Sequence, residues 1–145
     1  MKPAILEAAH LAAVHELETL CFANPWSEDA LSHLLKENNF GAVALVGDFV
    51  AAYAGLVVAL DEGEITNVAT HPDARRCGYA RDLLVFLLDE AARRGLCRVT
   101  LEVRESNLAA RALYDSLGFA PCGKRKNFYS HPREDALILE KIVSR

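Results

Sequence analysis

The stretch that most restricts the fold runs from Glu64 to Val103: "EITNVATH", then a loop and long apolar-faced segment through "DARRCGYARDLLVFLLDEAARRG", then "CRVTLEV". The two ends read as strands, the second with Val99, Leu101 and Val103 alternating. Between them Leu83, Leu84, Leu87, Leu88 and Ala91 line one side of a helix predicted from about Gly78 to Arg94, with Gly95 to stop it. A strand–helix–strand crossover of this length commonly returns the chain beside the first strand in the same direction, so this segment should make the two strands parallel neighbours.

The flanking segments predict a mixed α/β sheet around that crossover. Residues 3–8 read as a short first strand, and a helix follows from about His10 to Cys21, with Leu11, Val14, Leu17, Glu18 and Cys21 at helical spacing. "ANPW" breaks the chain. Ser27 then suits an N-cap, Glu28 and Asp29 suit the positive end of a second helix, and Leu31, Leu34 and Leu35 supply its apolar face. "GAVALVG" and "FVAAYAGLVVAL" read as strands joined at Gly47-Asp48, and the turn "DEG" leads into the strand at Glu64. "SNLAARALYDSLGF" predicts a helix capped by Ser106 or Asn107 and closed by Gly118, and "FAPCGKRKNFY" with "DALILEKIV" a terminal hairpin.

With 145 residues, 52% of them hydrophobic, the chain is expected to form one domain, residues 1–145, with its own core. It has no run of about 20 apolar residues, and a cytoplasmic protein is expected. A net charge of −4 argues against general binding to nucleic acid. Cys21, Cys77, Cys97 and Cys122 form no metal or redox motif, and the five histidines are scattered, so reduced thiols and no metal are expected.

"RRCGYA" lies where a strand feeds a glycine-containing loop that opens a helix. The first N–H groups of a helix have no internal partners and sit at the positive end of its dipole, so the place suits an anion. Neither a dinucleotide fingerprint nor a P-loop is present. A pyrophosphate would fit there.

These residues resemble the acetyl-coenzyme A motif of the GCN-five-related N-acetyltransferases (GNAT), Arg/Gln-x-x-Gly-x-Gly/Ala, met by Arg75, Gly78 and Ala80. "ESNLAARALYDSLGF" is similar to the family's second signature. "NPWSEDAL", "NVATHPDARRCGYARDLL", "LEVRESNLAARALYDSLGF" and "RKNFYSHPREDALIL" resemble, in order, segments of the RimI type, which acetylates the N-terminal alanine of a small-subunit ribosomal protein.

The resemblance implies a mixed sheet of about seven strands, about four helices and a splayed parallel pair. It implies acetyl-CoA as co-substrate, beside the backbone of Val68 and Ala69, with its pyrophosphate on N–H groups from Arg76 to Arg81 and Asn107 reaching it. It implies Glu102 as general base and Tyr114 as general acid, with the acceptor bordered by Tyr129, Asn67 and Arg104. Trp26 is open between substrate contact and a hydrophobic staple. Phe128 stands where a tyrosine is frequent in the RimI type, and Cys77 sits within the phosphate loop. A lysine or small-amine acetyltransferase and a non-catalytic acetyl-CoA-binding protein are the alternatives.

Overall fold

The structure is a computed structural model and describes residues 1–144. Seven strands form one sheet: β1 (Lys2–Ile5), β2 (Phe40–Val46), β3 (Phe49–Ala59), β4 (Glu62–Thr70), β5 (Arg98–Arg104), β6 (Ala120–Ser130) and β7 (Arg133–Ile142). Their order across the sheet is β1-β2-β3-β4-β5-β7-β6. Every neighbouring pair is antiparallel except β4 and β5, the parallel pair expected from the crossover.

Four α-helices cover the two faces: α1 (Leu11–Cys21), α2 (Glu28–Ser32), α3 (Tyr79–Arg93) and α4 (Leu108–Ser116). On one face Leu83, Leu84, Leu87, Leu88 and Ala91 of α3 and Tyr114 of α4 close over Ala42, Ala54, Ile65, Val99, Leu101 and Val103. On the other, Val14 and Leu17 of α1 and Leu31 of α2 pack on Val43, Tyr53 and Ala69. Alternation along each strand thus feeds two cores through one sheet. Burial of one leucine stabilises the fold by roughly 1.5–3 kcal/mol, so the leucine stripe is ample reason for α3 to dock where it does.

Three local expectations change. β1 ends at Ile5 rather than near residue 8, because a 3-10 turn over Ala8–His10 claims the chain, with the Glu7 N–H donating to His10 Nδ1 at 3.0 Å. α2 stops at Ser32 and tightens into a 3-10 turn over His33–Leu35, whose carbonyl at His33 accepts from Asn39 Nδ2. The tighter winding turns Leu35 off the apolar face and leaves it exposed, while Leu31 and Leu34 stay buried. β4 begins at Glu62, paired with Ala59, so the turn before it is Leu60-Asp61 and not "DEG".

Two features shape what lies between β4 and β5. Their backbone pairing is confined to Glu62, Gly63 and Glu64 opposite Arg98, Val99 and Thr100. Arg98 fastens that end, with 2.6 Å contacts to Glu62 on β4 and Glu140 on β7. Past it, Gly55 of β3 faces Asn67 while Leu56 faces Ile65, which makes Thr66 the extra residue of a bulge in β4. A bulge bends its strand and re-aims the side chains beyond it. The sheet is therefore pinned at one end of the parallel pair and open at the other.

Candidate active site

The opening between β4 and β5 is a cleft of about 430 Å³. Ile65, Thr66, Asn67 and Val68 line it from β4, Leu101, Glu102, Val103 and Arg104 from β5, and Asn107, Ala110 and Tyr114 from α4 and its cap. Glu102 and Tyr114 enter from different elements and share this space. Glu102 occurs at an even step of β5, between the buried Leu101 and Val103, so its carboxylate lies on the face away from the α3–α4 core. The Glu102 carboxylate is 15% exposed, and Arg125 Nε of β6 lies 3.0 Å from it. Partial burial raises its pKa above the usual carboxylate range; Arg125 opposes the shift and Glu64 adds to it.

Tyr114 is buried, with its ring edge-on to Phe119 at 5.7 Å between centroids. Burial pushes its phenol up to about 12, with a smaller contribution from Tyr129. It therefore remains O–H at neutral pH, a proton donor held in the wall of the cleft. Asn107 caps α4, its side-chain oxygen accepting from the Ala110 N–H at 3.1 Å. Its amide NH2 is what remains to offer to the cleft.

The anion cradle forms at the start of α3. Gly78 adopts a left-handed conformation, φ +76°, and a Cβ there would meet nothing within 4 Å, so the backbone is open to a ligand. Arg76 is also left-handed, φ +67°. The first helical N–H to find its carbonyl is that of Asp82, on Gly78. Those of Tyr79, Ala80 and Arg81 precede it and have no intrahelical partner. Arg75 and Arg76 are exposed, whereas Arg81 donates to Ser116 Oγ at 2.6 Å and ties α3 to α4. These residues lie outside the lining of the β4–β5 cleft, as does Ala69, whose side chain packs in the α1–α2 core.

A second cleft, about 370 Å³, adjoins the first. Glu18, Trp26, Phe128 and His131 help to line it, and Phe22, Asn67, Arg104 and Tyr129 line both. Arg104 lies over the Tyr129 ring at 4.3 Å and is paired with Glu134. The sequence-predicted acceptor residues Trp26, Asn67, Arg104 and Tyr129 thus surround one space. Trp26 also packs against the α1–α2 core, beside its position before the Ser27 cap, so the two readings of it are compatible.

The chain matches the Acetyltransferase (GNAT) family over residues 11–119. It belongs to that family. The [Ribosomal protein bS18]-alanine N-acetyltransferase of Escherichia coli K12 is 40% identical over 141 residues, 96% of this chain and 95% of that protein. The crystal structure of the ribosomal-protein-S18-alanine N-acetyltransferase from Escherichia coli superposes with a TM-score of 0.91 at 38% identity, covering 99% of this chain and 96% of that one. The NatC complex bound to Gag peptide and CoA shares the fold, with a TM-score of 0.81 at 20% identity. The seven-stranded mixed sheet and its single parallel pair are the GNAT fold, and the enzyme is an acyltransferase.

Within this GNAT site, three contributors escaped the reading of the sequence. Arg125 lies in a basic run on a strand, where exposed charge is the default, yet it faces Glu102 across two strand spacings. Tyr53 carried no signal beyond a strand pattern. Glu18 did: a carboxylate among the apolar positions of α1 is a group that must find partners or not be buried at all.

Proposed function

We propose that this GNAT enzyme acetylates the N-terminal amine of a protein, the alanine terminus of the ribosomal protein named for its relatives, with acetyl-CoA as donor. The observation that carries the reading is the meeting of two clefts at one wall, with Glu102 and Tyr114 in the first. The near full-length likeness to bS18-alanine N-acetyltransferases supports that choice of acceptor.

The residues present fit coenzyme A. The unpartnered N–H groups of Tyr79 to Arg81, the open backbone at Gly78 and the exposed Arg75 and Arg76 suit its phosphates, and the edge of β4 near Val68, paired with β3 but not with β5, suits its pantetheine amides. In the transfer, the neutral amine attacks the thioester carbonyl and the carbon–sulfur bond breaks. Glu102 takes the proton lost by the amine, directly or through water, and Tyr114 gives its proton to the departing sulfur. An α-amine with a pKa near 8 is already partly neutral at pH 7, whereas lysine near 10.4 is almost wholly charged, so a single carboxylate base is sufficient for the first.

Incubation with acetyl-CoA and a peptide bearing a free N-terminal alanine, beside a blocked twin bearing lysine, tests the proposal by mass spectrometry. Acetylation of the first peptide alone supports it; acetylation of only the lysine or of a small amine refutes it. Glu102→Gln and Tyr114→Phe should each lower turnover by about 10²-fold or more with coenzyme affinity retained. Unchanged turnover in both would remove their assigned roles.

A further inference from the structure

Glu18 is a fully buried carboxylate whose role the transfer chemistry leaves unexplained. Its partners are all donors: the Trp26 backbone N–H to Oε1 at 2.8 Å, the Tyr53 hydroxyl to Oε2, and Asn67 Nδ2 to Oε2 at 2.8 Å. Asn67 Nδ2 also lies 3.2 Å from the Tyr53 hydroxyl. Among the described residues, no lysine, arginine or histidine nitrogen lies within ion-pair distance of Glu18. A charge so placed is expensive unless hydrogen bonds hold it, and here α1, the loop before α2, β3 and β4 each contribute to holding it.

The network dictates which way Asn67 points. Oε2 accepts from Asn67 Nδ2, so the amide turns its NH2 toward Glu18 and its Oδ1 is directed elsewhere. Asn67 lines both clefts, at the wall where they meet. Thr66 Oγ1 is the buried side-chain polar atom that lacks a partner among the described residues, so Asn67 Oδ1 is not a sealed orphan. A carbonyl-type oxygen facing that junction accepts a hydrogen bond from an N–H, and it offers nothing to an anion. The junction also receives the bulge at Thr66, which re-aims β4 just before Asn67.

We propose that Glu18 is a positioning residue for the acceptor: it fixes the Asn67 amide so that Oδ1 receives an N–H of the incoming α-amine and sets the amine before the donor cleft. Tyr53 and the Trp26 N–H complete the carboxylate's coordination and hold Glu18 itself in place. The proposal rests on the acceptor being an amine that enters through the second cleft. It assigns Asn67 a direct contact and Glu18 an indirect one.

The test measures initial rates with acetyl-CoA and a peptide carrying a free N-terminal alanine, and CoA binding by calorimetry, for the full chain, Asn67→Ala, Glu18→Gln and the double variant. Asn67→Ala should raise the acceptor KM about tenfold, the size of one hydrogen bond to a reacting group, with the CoA dissociation constant within about twofold. Glu18→Gln should match it, because a glutamine amide can donate as well as accept and leaves Asn67 free to flip. The double variant should be no weaker than either single one.

Additive losses in the double variant would mean that Glu18 acts independently of Asn67 and would overturn the proposal. So would an unchanged acceptor KM in Asn67→Ala, which decides the matter alone if Glu18→Gln does not fold. A wild-type enzyme inactive on the peptide would instead refute the amine-acceptor reading, and the proposal with it.

Discussion

At Glu102 two influences oppose each other. Partial burial and Glu64 favour the protonated acid, while the Arg125 guanidinium favours the carboxylate, and burial prevails. As the proposed base, Glu102 must be ionised, so kcat/KM should fall as pH drops through its raised pKa. Arg125→Gln removes the influence that lowers that pKa and should move the acidic limb of the pH profile to higher pH. An unmoved limb in the variant would show that Arg125 does not tune this group. None of this was legible in "GKRKNF", because the partner of Arg125 is decided by the register of β6 on β7 and β7 on β5. Glu102 and Tyr114 are singled out by the resemblance of the segments that carry them, and the structure brings both to one cleft. Glu18 stands between these cases: its unusual helical position was visible, but its donors come from residues 8 to 49 positions away.

For the elements, legibility followed periodicity. α3 was read almost to the residue, because its leucine stripe and the core it meets have the same period. α2 was overextended, because Leu31, Leu34 and Leu35 satisfy a helical pattern until a 3-10 turn changes the angle per residue. The bulge at Thr66 and the divergence of β4 from β5 have no signature in alternation alone, although they create the cleft. The loop before α3 permits a direct test. At φ +76° Gly78 is in a region that an L side chain adopts only with strain, though there is room for a methyl group. Gly78→Ala should therefore cost about 1 kcal/mol by backbone strain and should weaken CoA binding, read by chemical denaturation and calorimetry. Full stability with full affinity would mean the loop relaxes without consequence for the phosphates.

Over the whole molecule, the sheet is two antiparallel blocks, β1 to β4 and β5 to β7, joined in parallel by three residue pairs and the Arg98 clamp. A ligand seated in the opening touches both blocks and binds only the folded form. At about 100 times its dissociation constant, CoA should add roughly 2.7 kcal/mol of stability, which for a chain of this size raises the midpoint of thermal unfolding by about 5–10 °C. A midpoint independent of CoA concentration would rule out binding to the native state. The wall formed by Phe22, Asn67, Arg104 and Tyr129 lines both clefts, and under the proposed function it has a further consequence, as a boundary the two substrates would share rather than a barrier between them. A single molecule with a coenzyme thiol tethered to an acceptor terminus would engage both clefts without displacing either half. Once one half is seated, the other meets its cleft at the millimolar effective concentration of a short tether, so modest separate affinities multiply into tight inhibition.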